Sequence, residues 1–458
     1  MKRLMSVFSS FVLAASVAMA AGTTQLQTVN EGAPEWDFGG DLRIRWVGQN
    51  HMADMPSVHQ ESGGTDYVRF RTRLWGKVTS EELEAYLRVT NEFRYYRSPR
   101  SASGSQRFPD ETFIDNLYVT FKDVADFIDV KIGRQDISFG ERRIIGEGTP
   151  MDGSRSCYFD AARLTFKLDS KRTLDALALY MADEDWLPTL GRRHSAHSAN
   201  AKSYHPTLNG YDQDEYGFAL YYQDRSSAAM GWDLYYFFKG ETGSEKDPAM
   251  CKTVRGAFHS HTFGTRLLPK FSQTVSGELE LAVQVGDDNL LAMMAYAGLT
   301  YAPGWAWNPQ FTVAAYYLSG DRDGTRGRHA WHSLYNRETA LGDMVGAMYE
   351  GFDHNNLFYP HIGLKLTPSE NQFFFMHTGP LFAPVEEKDE NGGTYGHFRG
   401  YYMQAAHDIA IGRIFAQDSI FEAVKFGVLG EVMAKGNTFD EDHDHFGFYA
   451  QVQFTCAF

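Results

Sequence analysis

Apolar and polar residues alternate with a period of two along most of the chain. In residues 446–458, Phe, Ala, Val and Cys alternate with Gly, Tyr, Gln and Thr. The same alternation occurs in residues 83–89, 278–285 and 424–432. A period of two places apolar side chains on one face of a β-strand and polar side chains on the other. One face of each predicted strand therefore suits lipid and the other suits water.

Turn-rich breaks divide this pattern into about 18 candidate strands, an even number as in bacterial outer-membrane barrels. Their approximate bounds are 35–49, 66–79, 82–96, 112–122, 127–135, 158–168, 173–182, 213–224, 230–240, 257–268, 274–286, 290–302, 309–319, 357–367, 371–379, 399–411, 420–433 and 445–458. A sheet of this size has to close in a bilayer, because an open edge would leave backbone groups unpaired. The predicted fold class is therefore all-β: a single transmembrane antiparallel β-barrel with short periplasmic turns and long extracellular loops.

Residues 1–20 have the order of a signal peptide, with a charged start, an apolar middle and a small-residue exit at Ala20. We expect cleavage there, so that residues 21–458 form one barrel in the outer membrane of a Gram-negative cell. The longest later apolar run, residues 290–299, has about half of the ~20 residues that a spanning helix needs. The net charge of −15 disfavours nucleic acid as a partner, because phosphate binding needs a basic face.

Cationic residues concentrate in the first predicted strands, although the chain is acidic overall. Arg69, Arg71 and Arg73 are spaced by two, so their side chains share one strand face, which we expect to line the lumen. Guanidinium groups stay charged and can hold a carboxylate through two hydrogen bonds. The predicted pore-lining residues are Arg43, Arg45, Arg69, Arg71, Arg73, Arg88, Arg94, Lys131, Arg134, Arg142, Arg143, Arg163, Glu82, Glu84, Glu92 and Asp129.

Two interpretations of this charged set stay open. In the first, the arginines form an anion-selective constriction, whose selectivity is local and does not follow from net charge. In the second, the carboxylates neutralise the arginines across neighbouring strands and the set is a wholly paired structural network.

Short motifs in the same part of the chain resemble a known family. Gly133-Arg134-Gln135 is followed by an arginine-bearing loop with Arg142-Arg143 and by Phe159-Asp160-Ala161-Ala162-Arg163-Leu164. With Ser319-Gly320-Asp321 at the end of a later strand, this set resembles the alginate-export family of outer-membrane barrels. The resemblance implies an 18-stranded monomeric barrel with an arginine-rich constriction through which an acidic polysaccharide leaves the cell. It also implies that the terminal Phe458 is recognised by the barrel assembly machinery.

We predict an outer-membrane channel that passes an anionic solute, with an acidic polysaccharide such as alginate as the first candidate. A general or uptake porin for small anions is the alternative, ahead of an outer-membrane hydrolase or a loop-based adhesin. Because no Ser, His and carboxylate set has the context of a hydrolase motif, we expect no enzymatic activity. The expected partners are membrane lipid, the solute, the assembly machinery and periplasmic export proteins.

An acidic run before the last strand contains Asp440, Asp442 and Asp444. Clustered carboxylates suit Ca²⁺ or Mg²⁺, but the spacing matches no EF-hand, and a solvated loop is the other interpretation. No other cofactor is expected.

Aromatic residues near the predicted strand ends suit the lipid headgroup region. The predicted girdle positions are Trp36, Trp46, Trp75, Tyr95, Tyr96, Tyr221, Tyr222, Tyr235, Tyr236, Tyr401 and Tyr402.

Overall fold

The structure is a computed structural model that describes residues 34–50, 65–97, 108, 112–146, 158–182, 187–188, 214–242, 257–321, 327–336, 341–342, 344–345, 355–386, 396–417, 419, 421–436 and 446–458. The predicted signal peptide and Asp440, Asp442 and Asp444 lie outside these residues. No helix among the described residues is long and apolar enough to cross a membrane.

Long antiparallel strands dominate the described part of the chain. They are β1 (Glu35–Asn50), β2 (Thr65–Thr79), β3 (Leu83–Tyr96), β4 (Thr112–Val124), β5 (Ile128–Gln135), β7 (Phe159–Lys167), β8 (Arg172–Met181), β9 (Glu215–Asp224), β10 (Met230–Glu241), β11 (Phe258–Pro269), β12 (Val275–Gly286), β13 (Leu290–Tyr301), β14 (Gln310–Leu318), β16 (Leu357–Ser369), β17 (Gln372–Phe382), β18 (Phe398–Ile409), β19 (Val424–Lys435) and β20 (Phe446–Ala457). Four short elements complete the described set: β6 (Ile145–Gly146), a 3-10 helix (Asp287–Asn289), β15 (Tyr335–Asn336) and the helix α1 (Ile411–Phe415).

The long strands form one closed sheet of 18 strands, in which neighbours along the chain are neighbours in space. Closure occurs at β1, which pairs with β2 on one side and with β20 on the other. The backbones of Gly40 and Phe458 exchange two hydrogen bonds of 2.8 and 2.9 Å at this seam. Because closure leaves no free sheet edge, every strand has two partners in the bilayer. The predicted 18-stranded antiparallel barrel is confirmed.

The strands alternate between an outer face and a lumen face. On the outer face apolar side chains such as Phe263, Val313 and Ile362 are more than half exposed, as lipid contact requires. Short turns join the strands at the rim that is periplasmic in outer-membrane barrels, for example residues 168–171 and 225–229. The turn between β18 and β19, which holds α1, is longer than these.

Two segments of the chain enter the barrel. Residues 136–146 follow β5, and residues 327–336, 341–342 and 344–345 lie between β14 and β16. The two segments meet where β6 and β15 pair in parallel. The arginine at position 143 contacts β12, although five strands separate β12 from β5 along the wall. A contact between such distant strands can only pass through the lumen. The sequence analysis predicted neither β6 and β15 nor this insertion.

An apolar core lies inside the barrel around these segments. Its members from the wall include Leu177, Leu179 and Phe237, and those from the segments include Ile145 and Leu334. All five side chains are less than 5% exposed. The lumen face of β8 to β13 is therefore partly apolar because the inserted segments cover it, in contrast to the polar interior of a water-filled channel.

Candidate functional site

Nine side chains form a three-by-three grid on the lumen face of β1, β2 and β3. Strand register aligns them in three rows: Asp41, Arg73 and Thr90; Arg43, Arg71 and Glu92; Arg45, Arg69 and Arg94. We call this grid the arginine wall. Six arginines against two carboxylates give it a formal charge of +4, in a chain whose net charge is −15. The neighbouring strand β20 adds no charge, since it places Ala457, Thr455 and Gln453 beside these rows.

Like charges lie directly opposite each other in this wall. Arg43 is the register partner of Arg71, and Arg45 is the register partner of Arg69. Directly opposed like charges destabilise a sheet, so the arrangement opposes folding unless other groups compensate for it. A sequence under selection for stability alone would place a neutral or acidic residue in at least one position of each pair.

Two carboxylates supply part of the compensation. Asp41 accepts hydrogen bonds from Arg73 at 2.6 Å and from Arg71 at 3.2 Å, and Glu92 lies 3.4 Å from Arg69. Arg45 donates to the amide oxygen of Gln453 at 3.1 Å. The arginine wall thus has a defined geometry, held partly by carboxylates and partly by neutral amides.

Arg71 retains unused hydrogen-bonding capacity. Its side chain is only 5% exposed, and among the described residues its Nε and Nη1 atoms have no hydrogen-bond partner. An unmade hydrogen bond on a buried polar group costs about 1–3 kcal/mol. An anion that reaches Arg71 can satisfy these two donors.

Other predicted arginines are paired with carboxylates of their own. Arg88 contacts Asp115 at 2.9 Å and Asp136 at 3.0 Å. Further pairs join Arg134 to Asp160 at 2.8 Å and Arg163 to Asp175 at 2.7 Å. These ion pairs on β3 to β8 match the second interpretation, in which the charged residues form a structural network. Five of the six arginines of the arginine wall lie instead on β1 and β2.

Arg143 attaches the first inserted segment to the opposite wall. Its Nη1 atom lies 2.6 Å from Glu280 and 2.7 Å from Glu278, and its guanidinium stacks 3.6 Å from the ring centre of Tyr296. Burial opposes the charge on Arg143, but the two carboxylates outweigh burial and raise the guanidinium pKa above its ordinary value. On the same segment Phe139 stacks on Tyr221 of β9 at 4.2 Å between ring centres.

Hydrogen bonds hold the second inserted segment to the barrel wall at two places. Lys239 donates to the carbonyl oxygen of Leu334 at 2.8 Å, and Gln284 donates to that of His332 at 2.8 Å. Further along, the backbone N–H of Met344 donates to Glu431 of β19 at 2.8 Å. Together the two segments leave a cavity of about 560 Å³ between themselves and the wall from β12 to β20.

The remaining predicted pore residues lie outside the arginine wall. Lys131 packs over the ring of Tyr118 at 3.9 Å, and Tyr118 also donates to Glu84 at 3.3 Å. Asp129 lies 2.8 Å from Lys167, close to the short-turn rim. Glu82 lies in the exposed turn between β2 and β3, off the strand, so its placement on the pore wall was wrong. Arg142 is half-buried beside Arg143 in the first inserted segment, with φ of 62°.

Part of the predicted aromatic girdle was also wrong. Tyr221, Tyr235 and Tyr402 are at most 3% exposed and belong to the apolar core inside the barrel. Consecutive residues such as Tyr221 and Tyr222 cannot both face lipid, because neighbouring side chains in a strand point to opposite faces. The apolar runs of β10 and β13, which do not alternate strictly, were the signal in the sequence that something apolar covers the inner face there.

Comparison with known proteins identifies the family. A family model described as alginate export matches residues 35–372, which is more than half of the chain. The chain belongs to the alginate export family. A search of curated proteins finds no match to this member.

Solved structures of outer-membrane porins share the fold of this alginate export family member. OccAB1 of Acinetobacter baumannii has a TM-score of 0.60 at 10% identity, with 95% of this chain and 99% of that chain covered. A BenF-like porin from Pseudomonas fluorescens Pf-5 has a TM-score of 0.57 at 11% identity and coverage of 92% and 98%. OccK11 (OpdR) of Pseudomonas aeruginosa has a TM-score of 0.54 at 11% identity and coverage of 95% and 99%.

At these identities the likeness shows the fold alone. The family match and the barrel together make this protein an outer-membrane channel. Its family and its structural neighbours are channels and porins.

Proposed function

We propose that this channel conducts an acidic polysaccharide of the alginate type out of the cell, with the arginine wall as its selective element. The observation that supports the proposal is the surplus of arginine in the grid of β1 to β3, where six guanidinium groups face two carboxylates. A stretch of lumen with this charge attracts anions and repels cations over a few ångströms, independently of the net charge of the protein.

The geometry suits a carboxylate-bearing solute better than a spherical anion. A guanidinium presents a planar pair of donors that matches a carboxylate, and the rows of the wall offer several such groups in succession. Asp41 and Glu92 share these arginines with the solute, so no single contact becomes too strong to release. Conduction requires such a series of moderate sites.

A vesicle experiment tests the proposal. Lipid vesicles carrying the purified barrel would be loaded with fluorescently labelled oligouronates or with labelled neutral oligosaccharides of equal length. We expect the oligouronates to leave the vesicles several times faster, because the wall concentrates anions at the constriction. Vesicles without protein measure the leak.

Two results would contradict the proposal. If neutral and acidic oligomers leave at equal rates, the channel does not select charge. If monouronate leaves readily while oligomers of three or more units are retained, the protein is a porin for small anions, which was the alternative predicted from the sequence.

A further inference from the structure

Three rings follow one another along the lumen face of β17. Phe373, Phe375 and His377 are spaced by two residues, with ring centres 6.1 Å apart in the first pair and 6.3 Å in the second. Their register partners on β18 are Asp408, Ala406 and Gln404. Gln404 bonds to Glu431, which also holds the inserted segment, so this face points into the barrel. We call these three side chains the ring column.

The described residues of the inserted segments leave the two phenylalanines of the ring column partly exposed. Both are half-buried and line the cavity of about 560 Å³. Phe237, by contrast, is fully buried in the core that the segments form inside the barrel. Apolar surface left against water is unfavourable by about 25 cal/mol per Å². Rings placed on a water-filled wall are therefore best explained by a solute that covers them.

The surroundings of the ring column supply hydrogen bonds and positive charge. Gln404, Gln451 and Gln453 contribute amide groups to the cavity lining. Lys365 is the register partner of Phe375, and its Nζ atom lies 6.0 Å from the ring centre of Phe373. Since Gln453 also accepts a hydrogen bond from Arg45, the cavity is continuous with the arginine wall.

The carboxylates of the cavity do not make it an anion-repelling site. Glu278 is held by Arg143 and Arg266, at 2.7 and 2.8 Å. Glu431 accepts hydrogen bonds from the Met344 backbone and from Gln404. Glu141, exposed on the first inserted segment, lies 2.8 Å from Arg266. Asp408, at the short-turn end of the column, is also exposed and weakens anion binding there, which favours release.

We propose that the ring column is a binding track for the sugar rings of an acidic polysaccharide. The apolar C–H face of a pyranose ring packs on Phe373 and Phe375, its hydroxyl groups bond to the glutamine amides, and its carboxylate lies near Lys365. This inference rests on the proposed function. The arginine wall binds the carboxylates of the solute, and the ring column adds a separate site for its sugar rings. A small inorganic anion gains nothing from the rings.

Single-channel recording with oligouronates added to the bath tests the ring column. The variant F373L/F375L keeps both side chains apolar and removes the flat rings, while F374L changes the residue between them, which lies on the outer face of the same strand. We expect the mean duration of oligouronate block to fall about tenfold in F373L/F375L, because two ring contacts are lost. F374L should behave as wild type in block duration, in conductance and in ion selectivity in KCl.

The outcomes separate the ring column from the proposed function. If oligouronates block wild type and F373L/F375L for equal times, the ring column is overturned and the arginine wall stands. If neutral oligosaccharides of equal length block wild type as long as oligouronates do, the assignment of an acidic sugar is overturned. If oligouronates do not interrupt the wild-type current at all, the ring column fails together with the proposed passage of a polymer.

Discussion

Glu92 is the carboxylate in the central row of the arginine wall, and its side chain is completely buried. It lies beside Arg71 in the strand register and 3.4 Å from Arg69. Burying a carboxylate is expensive, and burying several guanidinium groups without one is more expensive still. Glu92 therefore stabilises the wall and at the same time limits how strongly the wall attracts an anion.

We predict that Glu92→Gln makes the barrel less stable and the channel more anion-selective. Removing one partner from a buried ion pair destabilises by about 3–5 kcal/mol, which urea unfolding of the refolded barrel would measure. The anion preference, measured as a reversal potential under a salt gradient, should rise because the wall gains one net positive charge. Glu82→Gln, in the exposed turn, is the matched control and should change neither quantity. Equal selectivity of Glu92→Gln and wild type would contradict the role given to this carboxylate.

Among the elements, the two inserted segments narrow the lumen, and they are held by contacts at a few points. For the first segment the attachment is Arg143, whose partner Glu280 is only 3% exposed. Tyr335 of β15 adds a hydrogen bond from its hydroxyl to the carbonyl oxygen of Tyr216 at 3.0 Å. These contacts fix the segments to the wall from β9 to β12.

We predict that Arg143→Met releases the first segment. The variant leaves Glu280 buried without its cation, so the barrel should lose about 3–5 kcal/mol of stability and its single-channel current should become larger and noisier. Adding Glu278→Gln and Glu280→Gln to Arg143→Met removes the uncompensated charges. This triple variant should recover most of the stability while the current stays altered. A current in Arg143→Met that matches wild type in size and noise would show that the segment is held by its apolar core alone.

For the whole molecule, the strands could be predicted from the sequence and the interior could not. Lipid on one side and water on the other impose a period of two, and that period is visible in each strand without knowledge of its neighbours. The register between β1, β2 and β3 aligns the arginines predicted on the lumen face in a grid. Gly133 of the family motif is explained only by the structure: its φ is 125°, and a Cβ atom would collide with the Leu117 carbonyl.

The insertion escaped prediction because its contacts join residues that are far apart in the sequence. Arg143 and Glu280 are 137 residues apart, and nothing local to either residue shows the other. Apolar residues on the lumen face of β8, β10 and β13 were a trace of it, but a pattern of two faces cannot distinguish a covered inner face from a lipid-facing one. Alternation assigns each charged residue to a strand face, while the grouping of the arginines into one grid required the register.

The central claim is that surplus positive charge on one sector of the wall makes an acidic barrel select anions. Reversal potentials in planar bilayers under a KCl gradient test it most directly, with wild type compared with R69Q/R71Q/R73Q. The variant K171Q/R172Q/K270Q removes the same charge from exposed positions at the short-turn rim and serves as the control. We expect wild type and the control to prefer chloride, and R69Q/R71Q/R73Q to lose that preference or to prefer potassium. A large, cation-preferring conductance that is unchanged in R69Q/R71Q/R73Q would contradict the account.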